Sequence, residues 1–327
     1  MRRAPLNSIE RNSYFFLVAA ILLTGWFHLG TPFLTVLFSY FALHKLNVSR
    51  NKILTVVLFL TLLAGIFWTF VQFLKEALVA LPSILDTSIP SIIDYARRHK
   101  IDLPFDDIES MRSVVLGEVK AQLAGVANFA RIATKEFVFL SLGIIIAIAL
   151  FLKPRLDLDD NSSTPANLYA AFCRALVDRF HSFYESFALV TGAQLSISAI
   201  NTFLTTVFIL CAALPHVPVL VGLTFLAGLI PIIGNLISNS IIVAISFTHS
   251  PHLALSALVF LIVLHKLEYF LNSKIIGARI NNPIWLTLIG LIVGEKLMGI
   301  PGMILAPVIL NYIKVEASKL APPAETA

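Results

Sequence analysis

Apolar residues in this chain fall in long unbroken runs, and charge clusters at the ends of those runs. Asn12 to His44 contains no Asp, Glu, Lys or Arg. As one helix rising 1.5 Å per residue it would be about 50 Å long, well beyond a hydrocarbon core of about 30 Å. The run must break, and the expected place is Gly30-Thr31-Pro32, because Gly weakens a helix and Pro disfavours the helical conformation of the residue before it. Two spans follow, near 13–29 and 32–45. Ile53 to Leu74 is a third, and Phe137 to Leu152 a shorter fourth, framed by Lys135 and Lys153, whose ammonium groups can snorkel to the headgroups.

Ser186 to His265 carries no formal charge; as helix it would cover about 120 Å, enough for three or four traverses. Turns at Pro215-His216-Val217-Pro218 and Thr248-His249-Ser250-Pro251 divide it into spans near 187–214, 218–247 and 252–271, the middle one interrupted at Pro231 and Gly234. A last apolar stretch, Pro283 to Tyr312, is interrupted at Gly294-Glu295-Lys296 and at Gly299-Ile300-Pro301-Gly302. The pattern predicts an all-α polytopic integral membrane protein of about eight spans, some broken or re-entrant. An even count places both termini on one side. Arg2, Arg3 and Arg11 at one end of the first hairpin, with Lys45, Arg50 and Lys52 at the other, put that side in the cytoplasm. Lys274 and Arg279 obey the same rule if the two interrupted segments re-enter rather than cross. The basic start resembles a signal peptide, but its apolar run is too long and no small-x-small site ends it, so a retained anchor is expected.

Residues 75–136 differ: charges of both signs nearly cancel, and Ile108, Met111, Val115, Val119, Leu123, Val126 and Phe129 recur at helical spacing. This predicts amphipathic extramembrane helices, the first near 76–99 and bent by Pro82 and Pro90. Residues 154–186 read as a cytoplasmic linker and an amphipathic helix with Phe172, Leu176, Phe180 and Phe183 on one stripe. The expected organisation is then an N-terminal hairpin and third span (1–74), the insertion (75–136), a fourth span (137–153), the linker and helix (154–186), a C-terminal transport core (187–315) and a tail (316–327).

Composition agrees with lipid as the solvent: 57% of residues are apolar and 13% charged, against roughly a quarter charged in a soluble domain, and mean hydropathy is +0.86. The net charge of +5 is scattered over membrane-flanking stretches, which excludes the concentrated basic surface that nucleic-acid binding needs. Cys173 and Cys211 form no CxxC and no metal-ligand spacing. The sequence has no GxSxG, HExxH, GxxxxGK or GxGxxG, so serine hydrolase, zincin, ATP-driven pump and dinucleotide enzyme lack their signatures. No cofactor, metal or catalytic residue is expected.

The remaining chemistry is that of a pathway. An ionisable residue in or beside a span is costly unless paired or wet, and by default marks a route for solute or ions. Glu268, in His265-Lys266-Leu267-Glu268, is the foremost such group; the alternative is an interfacial ion pair with Lys266 or Lys274. Two potential ligands, His265 and Glu268, are too few for a metal. Pro231 and Gly234 break a helix in mid-membrane, which frees backbone groups that must be buried or line a cavity. Asn235, Ser238 and Asn239, with Gln194, Ser198 and Asn201 on the preceding span, could supply uncharged hydrogen-bonding groups there. Each could equally serve interhelical bonding worth about 0.6–2 kcal/mol. Gly294, Glu295, Lys296, Gly299 and Gly302 suggest a hinge or re-entrant tip.

The layout resembles the AI-2E transporter family, permeases named for autoinducer-2 export. The residues carrying the likeness are Pro231 and Gly234, Glu268 after an apolar helix, Lys274-Ile275-Ile276-Gly277, Pro283, and the run from Gly294 through Gly299 and Gly302 to Ala306-Pro307. Ser273 stands where members commonly have proline, His265-Lys266 where glutamines are usual, and Pro301 is an uncommon insertion. The resemblance implies a multi-pass permease of the bacterial inner membrane, with autoinducer-2 export attributed to some members and sodium/proton antiport to others. The expected function is export of a small polar solute, or its exchange for a monovalent cation, without ATP hydrolysis, by a homo-oligomer embedded in the lipid bilayer. Glu268 is the expected coupling group. The competing readings are a sodium/proton antiporter and a non-transporting scaffold acting through its amphipathic helices.

Overall fold

The computed structural model describes residues 8–48, 51–100, 126–153, 167–230, 233–276 and 283–319. Among these there are ten helices and no strand: α1 Ser8–Trp26, α2 Gly30–Leu46, α3 Lys52–Arg98, α4 Val126–Leu152, α5 Leu168–Cys211, α6 Val217–Gly228, α7 Ile233–His249, α8 Pro251–Ile276, α9 Ile284–Met298 and α10 Ile300–Ser318. Five stretches are long and apolar enough to cross a bilayer: Lys52–Ala80, Thr134–Leu152, Leu168–Cys211, Pro251–Glu268 and Ile300–Ser318. Large apolar side chains such as Phe67, Trp68, Phe137, Phe203 and Val263 are exposed on them, a surface that lipid tails rather than water would cover. The chain is an all-α polytopic membrane protein.

The breaks differ in detail from those the sequence suggests. The first turn is Phe27 to Leu29, with His28 left-handed at φ 54°, and Gly30-Thr31-Pro32 already forms the first turn of α2, where a proline costs no intrahelical bond. Gly30 is needed for space rather than flexibility: a methyl group there would stand 3.0 Å from Met298 Cβ and 3.2 Å from Pro301 Cβ. Helix α3 continues through Pro82 and Pro90, so the third span and the start of the insertion are one element. Positions 108–123 of the amphipathic stripe, and the polar linker 154–166, lie outside the described residues. Helix α5 likewise joins the linker helix to the next span. Its buried stripe is shifted from the expected Phe172, Leu176, Phe180 and Phe183: Cys173, Arg179, Phe183, Ser186 and Phe187 are buried, whereas Phe180 is 43% exposed. Arg179 is turned inward to meet the Glu316 carboxylate, which sets the buried face. Gly294-Glu295-Lys296 do not interrupt their span but continue α9; the interruption is Gly299 alone, at φ 65° and ψ −143°, a conformation open to glycine.

The chain divides into two compact units. Residues 1–61, 138–193 and 273–327 form the first, whose core joins Leu17, Leu37, Phe183, Phe187, Leu305, Val308 and Tyr312. Within it the α1–α2 turn meets the α9–α10 tip: Gly25 faces Leu297 and Met298, and Gly30 faces Met298 and Pro301. Helices α9 and α10 approach so closely that any side chain at Gly294 would strike the Gly302 carbonyl, and any at Gly302 the Gly294 carbonyl, the small-residue contact that drives helix pairing in lipid. At the other end of α1 and α10, the Glu316 carboxylate accepts hydrogen bonds from Tyr14 (2.6 Å), Arg179 (2.7 Å) and Lys319 (2.6 Å). The Arg179 guanidinium lies 4.1 Å from the Tyr14 ring centroid, and both charged partners are almost fully buried.

Residues 62–137 and 194–272 form the second unit, packed around Ala77, Ala80, Ile209, Leu220, Ile242, Ile245, Leu261 and Leu264. Phe208 stacks on Phe260 at 4.6 Å, and Gly222 leaves the space that the Phe73 ring occupies.

Replacing Gly302 by Val should split the α9–α10 contact and cost about 1–3 kcal/mol or more, a drop of several degrees in thermal unfolding of the purified protein. Gly65→Ala, at a site with nothing within 4 Å, should leave that temperature unchanged or slightly raised. Glu316→Gln strands the buried Arg179 charge and should cost about 3–5 kcal/mol, while Arg179→Met with Glu316→Leu should recover part of the loss; unfolding temperatures of the single and double variants check this.

Candidate functional site: a broken helix held to a buried carboxylate

Helix α6 stops at Gly228 and α7 starts at Ile233, so a helix end stands inside an apolar segment. The last four carbonyls of any α-helix lack an intrahelical donor, and in hydrocarbon each must find one. All four do. Leu226 and Ala227 accept from the backbone amides of Leu229 and Ile230 at 3.2 and 2.8 Å. The Phe225 carbonyl accepts from Ser198 Oγ at 2.8 Å and the Gly228 carbonyl from Gln194 Nε2 at 2.6 Å. Gly228 and Gly234 are glycines because backbone and side chain crowd them: a methyl group on Gly228 would stand 2.6 Å from Ser198 Oγ, and one on Gly234 would strike the Ala227 carbonyl. Gln194, one of the polar groups offered for either a pathway or interhelical bonding, makes the interhelical bond that closes this helix end.

The first turn of α7 carries Asn235, whose Nδ2 donates to Glu268 Oε2 on α8 at 2.6 Å. Asn201, on α5, lies beside the same carboxylate. His265 Nδ1 lies 3.8 Å from Oε2; the Glu268 side chain is 14% exposed and that of His265 68%. Asn235 stands at the N-terminal end of α7, the positive end of its dipole, so the anion it grips lies near that end. Lys266 is exposed, and the Lys274 side chain lies outside the described residues, as does Pro231. Asn239, one turn beyond Asn235, is half-buried and is not among the side chains bonded to Glu268. Ser238 is buried and donates to the Asn235 carbonyl at 3.3 Å.

Gly294, Glu295, Lys296, Gly299 and Gly302 belong to the first unit and take no part in this cluster. There Glu295 and Lys296 pair at 3.3 Å, with Lys296 79% exposed, beside the Gly299 tip. Among the described residues no group of three His, Cys, Asp or Glu side chains comes together that could hold a metal ion.

One feature escaped the sequence reading. The Arg179–Glu316 pair joins residues 137 positions apart, which no local pattern signals. Asn201 is visible as part of a polar stripe, Gln194, Ser198, Asn201 and Thr205, at steps of four, three and four in a charge-free helix; that spacing places all four on one face.

A carboxylate bonded to a broken helix in a multi-pass helical protein is an arrangement that membrane transport proteins use. Comparison with known proteins narrows this: residues 15–320 match the AI-2E family transporter description, and the chain is a member of that family. A stretch of 136 residues is 32% identical to a protein of Bacillus subtilis (strain 168) named "Putative transport protein YdbI". The match covers 40% of this chain and 38% of that protein's length.

Gln194→Leu should leave the Gly228 carbonyl without a donor and cost about 1–3 kcal/mol, read as a lower unfolding temperature, with Gln194→Glu, which has no donor when ionised, behaving similarly.

Proposed function

We propose that this protein is a permease that moves a small polar solute, or exchanges it for a monovalent cation, without ATP hydrolysis, and that Glu268 is its coupling group. One observation carries this: the chain's broken helix is gripped in its first turn, through Asn235, by a carboxylate that is 14% exposed and faces no buried cation among the described residues. Such a carboxylate in a weakly polar setting must be neutralised or wetted. A proton or metal cation arriving at Glu268 discharges it and weakens its charge-assisted bond to Asn235. Occupancy is thereby linked to how firmly α7 is held to α8, which is the link that coupled transport requires.

The placement of the termini follows the same reasoning. Tyr14 and Glu316 bond directly, which supports both chain ends lying on one side, and the basic flanks of α1 and α2 favour the cytoplasmic side of a bacterial inner membrane. Contact between the α1–α2 turn and the Gly299 tip supports equal depth for the two hairpins, and so a full crossing of both rather than re-entry of one.

In proteoliposomes carrying a proton gradient, Glu268→Gln should abolish proton-coupled flux while the protein still inserts and purifies as a folded species. Flux equal to that of the unmodified protein would remove Glu268 from the mechanism.

A further inference from the structure

One buried acceptor beside Glu268 has no donor. Asn201 is 4% exposed and lies beside the Glu268 carboxylate, and its Oδ1 accepts no hydrogen bond among the described residues. A buried carbonyl oxygen left unpaired costs about 1–3 kcal/mol, and such atoms in folded proteins call for an explanation, an unrecorded ligand among them. One turn further along the same helix, Thr205 Oγ1 is buried and likewise without a partner. The stripe thus continues past the carboxylate with oxygens available.

A carboxamide presents two donors on one side and an acceptor on the other. Toward an ionised carboxylate it turns its NH2, as Asn235 does; toward a cation it must turn its oxygen. Half a rotation about the last side-chain bond converts one into the other. We propose that Glu268, Asn201 and Asn235 form a site for one dehydrated monovalent cation, in which both carboxamides rotate to give the ion their Oδ1 atoms. Asn201 is in this arrangement a direct ligand, supplied from α5, and the inference rests on the assignment of Glu268 as the coupling group.

Charge selects the class of ligand. The site offers one carboxylate and otherwise uncharged oxygens. His265 is the titratable neighbour, largely exposed, and no Asp, Glu, Lys or Arg occurs between Gln194 and Cys211 on α5 or anywhere on α7. One carboxylate balances one positive charge. Divalent cations recruit six to eight oxygens, usually from several carboxylates, and would leave a net charge here. A neutral polyol could donate to the same oxygens but would leave the carboxylate uncompensated in a medium where that is costly.

The test is the thermal unfolding of the full chain in nanodiscs, titrated with lithium, sodium, potassium or choline chloride at constant ionic strength and pH. A ligand that binds only the folded state raises its stability in proportion to occupancy. The expected result is saturable stabilisation by at least one of the three metal cations and none by choline. The midpoint should rise at least tenfold in Asn201→Leu, and the response should disappear in Glu268→Gln. Asn201→Asp, which adds a second carboxylate, should gain a saturable response to calcium; it also serves if the leucine variant does not fold. Gln194→Leu should lower the baseline temperature and leave the cation midpoint in place. A response lost in Glu268→Gln but unchanged in both Asn201 variants overturns the role of Asn201 and leaves Glu268 standing. No response to any metal cation, with flux still abolished by Glu268→Gln, overturns the cation site while the coupling assignment survives. Saturable stabilisation by a small polyol such as ribose, with no response to sodium, lithium or potassium, overturns it as well.

Discussion

A peptide carbonyl in hydrocarbon has no water to turn to, so each one freed by a helix break needs a protein donor. That constraint organises the second unit. Ending α6 at Gly228 exposes four carbonyls, and the two not met by the local backbone are met by Ser198 and Gln194, one turn apart on α5. The same face of α5 then brings Asn201 to the Glu268 carboxylate. A polar stripe in an otherwise apolar helix thus does two things in sequence: its first part satisfies the break, and its next turn reaches the anion beside it.

The first unit interrupts a helix by other means. Between α9 and α10 a single residue, Gly299, takes a positive φ, so only a short tip is left to satisfy, and exposed Glu295 and Lys296 lie within one turn of it. The two arms are then held by the close approach of Gly294 to Gly302, where dispersion acts over backbone brought nearly into contact. One break is thus stabilised by packing and the other by hydrogen bonds. Packing of bare backbone tolerates no added atom, whereas an amide–carbonyl bond can be remade in another geometry. That difference favours α7 over the α9–α10 tip as the adaptable element of the proposed permease.

The membrane segments are legible in the sequence because the absence of charge over a span-length run has few other physical causes. The all-helical class, the break before Gly234 and the kinship of the C-terminal third follow from residues adjacent in the chain. What was misread depends on partners distant in sequence. Gly30 looked like a helix breaker and is a contact surface for Met298. Gly294-Glu295-Lys296 looked like an interruption, yet glycine there serves the approach of α10. Phe180 looked buried by periodicity, but the buried face of this part of α5 is set by the Arg179–Glu316 pair, a contact distant in sequence, rather than by hydrophobic phase.

The two buried glutamates make the distinction between structural and exchangeable charge concrete. Glu316 is met by the permanently charged Arg179 and by Lys319, with a tyrosine hydroxyl completing its shell. Its charge is balanced within the protein, and a further cation would gain little by approaching it. Glu268 is met by carboxamides and, at 3.8 Å, by a largely exposed histidine. Amide dipoles solvate a carboxylate but do not cancel its charge. Removal from water penalises both anions, yet among the described residues Glu268 meets no buried, permanently charged cation. A charge already balanced by fixed partners holds helices in place. One solvated but unbalanced can be filled and emptied, and it is that asymmetry, more than burial itself, that favours Glu268 as the group on which transport turns.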